Sequence, residues 1–231
     1  MPAKVSATPS EAFQIARDSD GPINERLETY AATLRTMNRG ASEAIDHLVG
    51  RLKGAGAGSN APKVGEPLPP FLLPDDSANL VSLEGLLAKG PVAIAFHRGH
   101  WCPYCRININ ALAQAQKELT KGEGRIIGIM PDLQKFVAEL KKQSNVPFPI
   151  LSDMDNGYAL SLNLTIWVGA ELQRMLQDRV NIPAFQGNSS WMLPIPATFV
   201  VGRDGLIRAR FIDPDYRKRM TITEMLAAMR S

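Results

Sequence analysis

From residue 91 to 97 the chain reads PVAIAFH, a continuous apolar run held between Gly90 and Gly99. Its length and its glycine bounds suit a strand buried on both faces. The chain then passes at once into Trp101-Cys102-Pro103-Tyr104-Cys105. Beyond it, Ile107, Leu112, Ala115 and Leu119 mark one face of a helix that should begin near Pro103 and end before Gly122. A buried strand feeding a helix is the unit of α/β architecture, so this one step constrains the whole domain. The pattern recurs downstream. Residues 125–130 (RIIGIM) read as a second buried strand and 132–142 as a helix. Residues 197–201 and 206–211 read as strands joined by an Arg203-Asp204-Gly205 turn, and 221–230 as a closing helix.

Upstream the texture differs. Leu27, Tyr30, Leu34, Met37, Ala41, Ala44, Leu48 and Leu52 recur at spacings of three and four, the period of one helix face. Asn38-Arg39-Gly40 suits a helix end and Ser42 a new N-cap, which predicts two short helices or one kinked one. The stretch 54–62 (GAGAGSNAP) reads as a flexible linker. The expected organisation is a helical arm over 1–53, a linker over 54–62 and an α/β domain over 63–231. The arm's apolar face needs cover, either from its own domain or from a second copy in a homodimer.

The 26 Lys and Arg against 23 Asp and Glu leave a formal net charge of only +3, spread along the chain, so no basic stripe is available for nucleic acid. No run of about 18 apolar residues occurs to span a membrane, and the first residues lack the apolar core of a secretory signal. A cytoplasmic address is the expectation. The chain has two cysteines, three positions apart, a spacing too short to staple distant parts of a fold. The pair needs a chemical explanation.

With Cys102 at the opening of a helix, free backbone N–H groups and the helix dipole favour its anion. Such placement brings a thiol from about 8.5 down to roughly 3.5–7.5. Cys105, one turn deeper and more sheltered, is placed to displace an adduct on Cys102 and close a disulfide. Pro103 needs no N–H partner in the first turn and presets the helix start. Arg98 and the imidazoles of His97 and His100 can add positive charge, although His97 could equally end the strand in the core and His100 merely line the loop. His97, His100, Cys102 and Cys105 together offer four zinc ligands. A strand end and a helix start hold them in poor convergence, so neither metal nor cofactor is expected.

These residues extend into a longer likeness. Gly65 with Pro67, Pro74-Asp75, Val81-Ser82-Leu83, the strand with its WCPYC site, 148–153 (FPILSD), 196–201 (PATFVV) and Arg203-Asp204-Gly205 stand in an order that resembles the alkyl hydroperoxide reductase and thiol-specific antioxidant family, the peroxiredoxins. The likeness runs from about residue 63 to 215. It implies an α/β, thioredoxin-like fold, a central mixed sheet flanked by helices, with the arm as an N-terminal extension. It also implies reduction of a small hydroperoxide by Cys102, with Cys105 resolving to an intramolecular disulfide. A thiol reductant, either a thioredoxin- or glutaredoxin-like protein or glutathione, would reopen it. Gly99, His100, Trp101, Pro103, Tyr104 and Pro196 would then line the substrate site.

Three positions depart from the family pattern. The Thr that usually stands three residues before the reactive Cys is Gly99, the Pro seven before it is Ala95, and the distant catalytic Arg is replaced by Pro196. Arg98 is the expected substitute for that Arg. The CPYC motif is glutaredoxin-like, and Pro196 stands where thioredoxins carry a cis-proline, so a cis Ile195–Pro196 bond is expected. Exchange with protein or small-molecule disulfides is therefore the second reading of the same pair. A redox sensor or partner-binding module, whose disulfide switches the arm, is a third of another class.

Overall fold

The structure, a computed structural model, describes residues 8–119 and 124–231. Three helices come first, α1 (Pro9–Asp18), α2 (Ile23–Met37) and α3 (Arg39–Gly54). A small hairpin of β1 (Leu72–Pro74) and β2 (Leu80–Ser82) leads through α4 (Leu83–Leu87) into β3 (Val92–Phe96) and α5 (Pro103–Glu118). Next come β4 (Arg125–Met130), α6 (Gln134–Ser144), β5 (Ile150–Ser152) and α7 (Gly157–Ser161). A segment of β6 (Thr165–Trp167), α8 (Ala170–Gln177), α9 (Ile182–Gln186) and β7 (Met192–Pro194) follows. The chain finishes with β8 (Ala197–Val201), β9 (Ile207–Ile212) and α10 (Ile222–Met229). The expected helix boundary at Gly122 lies outside the described residues; the last helical residue of α5 is Glu118.

Five strands pair in the order β5-β4-β3-β8-β9, with β3, β4 and β5 parallel and β8 and β9 antiparallel. This is the expected thioredoxin-like sheet, and the apolar run of β3 lies at its centre. The run conceals a period of two. Val92, Ile94 and Phe96 pack with Ile127, Ile129, Phe199 and Val201 under α4, while Ala93 and Ala95 turn to the other face. There their small side chains let α5, α6 and α10 approach through Ile109, Leu112, Val137, Leu140, Met225 and Leu226. Each large apolar side chain so buried contributes about 1.5–3 kcal/mol. The α5 helix is thereby fixed against the sheet with its N-terminus at the end of β3.

The arm lies on its own domain. Its helix break falls at Asn38, whose side-chain oxygen accepts the Ala41 N–H at 3.0 Å, so Asn38 rather than Ser42 is the N-cap of α3. The Ser42 hydroxyl instead donates back to the Asn38 carbonyl. Upstream of the expected helices stands α1, opened by a Thr8–Glu11 capping box. Ala12, Ala16, Ile23, Leu27, Tyr30 and Ala31 form one buried cluster with Tyr104, Ile107 and Ala111 of α5. Further along, Leu48 and Leu52 of α3 bury themselves with Val168, Leu172, Ile182, Trp191 and Leu193. The apolar stripe is thus covered within the chain, and a second copy is not needed to shield it.

The glycine-rich stretch expected as a linker is closely held. It forms successive hydrogen-bonded turns, Ala61 is buried, and the Arg210 guanidinium donates to the carbonyls of Ala61 and Pro62 at 2.6 and 2.7 Å. A Cβ on Gly58 would stand 2.7 Å from the Ile212 side chain, so here glycine serves close packing on β9.

Candidate active site

The site is assembled where β3 ends and α5 begins. Cys102 is the N-cap residue of α5, Pro103 its first helical residue and Cys105 lies within the first turn. Both cysteines carry free thiols. The expected difference in shelter is absent: Cys102 is 1 % exposed and Cys105 0 %, because α1 and α2 pack across the start of α5. Around Cys102 stand Trp101, Tyr104, Tyr216 and, from the arm, Tyr30. Tyr104 takes the other two tyrosine rings edge-on, with centroid separations of 5.0 Å to Tyr30 and 5.4 Å to Tyr216.

Two buried guanidiniums face the sulfurs. Arg98 lies over the Tyr216 ring at 3.8 Å and the Trp101 ring at 5.2 Å, and its backbone N–H donates to Cys105 Sγ at 3.4 Å. Burial opposes the Arg98 charge, but the neighbouring Tyr216, Cys102 and Cys105 more than compensate and hold it protonated. Arg219 points Nη2 at Cys105 Sγ across 3.7 Å and anchors Nη1 on the carbonyls of Tyr216 and Lys218. Its backbone is gripped by Asn24 of α2, which accepts from the Arg219 N–H and donates to the Arg219 carbonyl, each at 2.9 Å. Among the described residues, no carboxylate lies within ion-pairing distance of either guanidinium.

The consequence is an asymmetric thiol pair. For Cys102, burial alone would raise the pKa. The Cys105 S–H donating to it, the Arg98 charge, the Cys105 backbone N–H and the Arg219 charge together outweigh burial and bring it down to about 6. Cys105 moves the other way: burial, its hydrogen bond to Cys102 and the Cys102 charge push it well up, and the two arginines oppose this only in part. Of the two sulfurs Cys102 is therefore the one whose anion the site favours, and Cys105 the one held towards the thiol.

The histidines differ from each other. His97 is fully buried, and burial, followed by the Arg219 charge, lowers it to about 3. It adds no positive charge to the site; its Nε2 accepts from the Asn108 amide at 3.2 Å. His100 is a loop anchor. Asp132, itself fully buried, accepts the His100 backbone N–H at 2.6 Å and binds the ring Nδ1 at 2.8 Å, while the ring stacks on Phe136. The two imidazoles thus face different partners, and among the described residues no group of three or more His, Cys, Asp or Glu could hold a metal ion.

Gly99 explains its own departure from the family pattern. At φ +147° a Cβ there would collide with Trp101 Nε1 and reach 3.0 Å from Asp132 Oδ1, so the loop has no room for a threonine. The Ile195–Pro196 bond is trans, which overturns the expected cis-proline. Ile195 donates its N–H to Leu164 O at 2.7 Å and the chain runs straight from β7 into β8, so no tight turn calls for the rarer isomer. Pro196 itself is buried at the start of β8, and the β3–β8 register, continued, sets it opposite His97.

Tyr30, Asn24, Tyr216 and Arg219 were not found by sequence reasoning. Tyr30 was visible only as one position of an apolar stripe, and the stretch DYRKRM before α10 offered basic and aromatic character but no spacing that ties it to the cysteines.

Fold and site together define a thioredoxin-fold protein carrying an activated cysteine pair at a helix start. A sequence model of the AhpC/TSA family matches residues 64–210, well over half of the chain, and the protein belongs to that family. Among curated relatives, the putative peroxiredoxin bcp of Coxiella burnetii is 32% identical over 94 residues, which is 41% of this chain and 62% of that protein. The 1-Cys peroxiredoxin PER1 of Hordeum vulgare is 23% identical over 158 residues, 65% of this chain and 64% of that one. The chain thus spans a little under two thirds of the length of each. Among solved structures, the peroxidoxin BcpB of Mycobacterium tuberculosis superimposes with a TM-score of 0.53 at 21% identity, over 73% of this chain and 96% of that one. The arm, Tyr216 and Arg219 fall outside the matched span.

Proposed function

We propose that the protein is a thiol-dependent peroxidase of the peroxiredoxin type. The observation that carries this reading is the placing of the Cys102 sulfur at the start of α5, near two buried guanidiniums and hydrogen-bonded to a second thiol, a setting that favours its anion. In the first step the Cys102 thiolate attacks the nearer peroxide oxygen. The S–O bond forms as the O–O bond breaks, and the departing alkoxide or hydroxide takes up a proton. Cys102 is left as a sulfenic acid. Cys105 then attacks that sulfur, the S–O bond breaks with release of water, and an intramolecular disulfide results. Arg98 takes the role of the cation that the family usually places at the Pro196 position.

A small oxidant suits the enclosure of Cys102 with the arm in place, whereas a protein disulfide, like a protein reductant, meets these sulfurs only with the arm displaced. The trans Pro196 removes one of the two features that supported disulfide exchange, the CPYC motif being the one that stays. A thiol reductant, a thioredoxin- or glutaredoxin-like protein or glutathione, reopens the disulfide, and such a cycle belongs in a reducing compartment such as the cytoplasm. No helix among the described residues is long and apolar enough to cross a membrane.

Stopped-flow tryptophan fluorescence of the reduced protein tests the reading, because Trp101 adjoins the reactive sulfur. Rapid oxidation by hydrogen peroxide, lost in C102S, is expected. Fast oxidation by a disulfide with a sluggish response to peroxide would reverse the assignment.

A further inference from the structure

The two guanidiniums at the site are buried without a carboxylate partner among the described residues, and a buried charge left unpaired is strongly unfavourable. Arg98 has the Tyr216 ring beside it, and the two sulfurs are the counter-charge that both cations share. The charged and titratable groups facing Cys105 are Cys102 and Arg98 from the loop after β3 and its helix, and Arg219 from the segment before α10. Beyond them stand the Tyr30, Tyr104 and Tyr216 phenols near Cys102 and the neutral His97 ring near Arg219. Arg219 is aimed at Cys105 rather than at Cys102, and Asn24 of the arm fixes its backbone from both sides.

While Cys102 is a thiolate, its negative charge and the hydrogen bond it accepts keep Cys105 protonated. Conversion of Cys102 to a neutral sulfenic acid removes both effects and leaves the two cations without an anion. We propose that Arg219, with Arg98, then transfers its stabilisation to Cys105, so that the resolving thiol ionises only after Cys102 has been oxidised. The proton leaves Cys105 and the Cys105 thiolate attacks the Cys102 sulfur. The S–S bond forms as the S–O bond breaks, and the sulfenic oxygen departs as water, so that proton release and water formation balance. Arg219 touches one of the reacting atoms and is in this sense a catalytic residue for the second step. The proposal rests on the reading that peroxide oxidises Cys102 and Cys105 resolves it.

Stopped-flow fluorescence separates the two steps in the full chain, with dimedone trapping and mass measurement reporting the sulfenic acid. In R219Q the second phase should slow by about tenfold or more at neutral pH, the loss of one nearby buried charge being worth about one to three pKa units. Its pH midpoint should rise, trapped sulfenic acid should accumulate, and the first phase should slow by a smaller factor, Arg219 being the least of the groups that lower the Cys102 pKa. R219K should recover most of the second-phase rate. An R219Q protein with an unaltered second phase and midpoint, or with both phases slowed equally, overturns the proposal. Should R219Q fold poorly, C102S decides the matter. Ultraviolet titration should show its Cys105 thiol ionising well below its value in the reduced wild type, and a Cys105 that stays equally high refutes the transfer. Absence of any peroxide-driven first phase in the wild type would instead remove the peroxidase reading itself.

Discussion

The Tyr30 ring of α2 meets the Tyr104 ring of α5 edge-on, their centroids 5.0 Å apart, so an arm residue seals the helix turn that carries both thiols. Arg26 reinforces this seam: its buried guanidinium donates to the carbonyls of Ala16 and Arg17 at the end of α1 and to Asn110 of α5. The arm is therefore part of the site's wall.

Truncation of that ring should loosen the wall. Y30A removes a buried aromatic side chain, which costs about 3–5 kcal/mol in a packed core. A lower Tm together with a several-fold faster reaction of Cys102 with a bulky disulfide reagent such as DTNB is expected. Unchanged reagent reactivity in a folded Y30A protein would show that the arm does not enclose the thiol.

The rate of peroxide oxidation should follow the ionisation of Cys102. Its pKa is lowered to about 6, so the thiolate is lost as the pH falls below that value and the rate falls with it. Above it the rate should level off near neutrality, where an ordinary thiol, at about 8.5, would still be gaining. R98M removes one of the charges that lower this pKa and should move the midpoint upward by about one unit or more. A pH–rate profile of the first phase in both proteins checks the sign and the shift.

Restoring the family's threonine should not help. In G99T the new side chain meets Trp101 and Asp132 from a backbone conformation that side chains rarely adopt. Strain and overpacking together should cost about 2–4 kcal/mol. Denaturant unfolding should show the loss, and the peroxide rate constant should fall. A stable G99T with a faster rate would mean that the loop accommodates the hydroxyl after all.

Asp132 should act as the loop's anchor. D132A leaves the part-buried His100 N–H and ring nitrogen without their acceptor, a deficit of about 1 kcal/mol or more. Reduced thermal stability with the Cys102 pH midpoint little changed is the expected pair of results, since Asp132 is not among the groups that set the Cys102 charge.

Much of this protein is local and was legible along the chain. The strand over Val92–Phe96, the strand over Arg125–Met130, the turn at Arg203-Asp204-Gly205 and the placement of Cys102 at a helix start all follow from periodicity, glycine punctuation and the position of Pro103. Such signals depend on residues a few positions apart. The region of β6, α8, α9 and β7 was not, because its elements are three to eight residues long and owe their burial to α3.

What lay beyond reach was the meeting of distant pieces. The apolar stripe of the arm announced that α2 must be covered, but its docking on α5 depends on the shapes of both surfaces, and with it came the closure over Cys102. Asn24 and Arg219 are 195 positions apart, yet their paired hydrogen bonds aim a guanidinium at Cys105. No local pattern encodes a contact that exists only once the sheet has set the helices and the final segment side by side. The order of strands and helices thus came from short-range preference, and the charge around the two sulfurs from long-range packing.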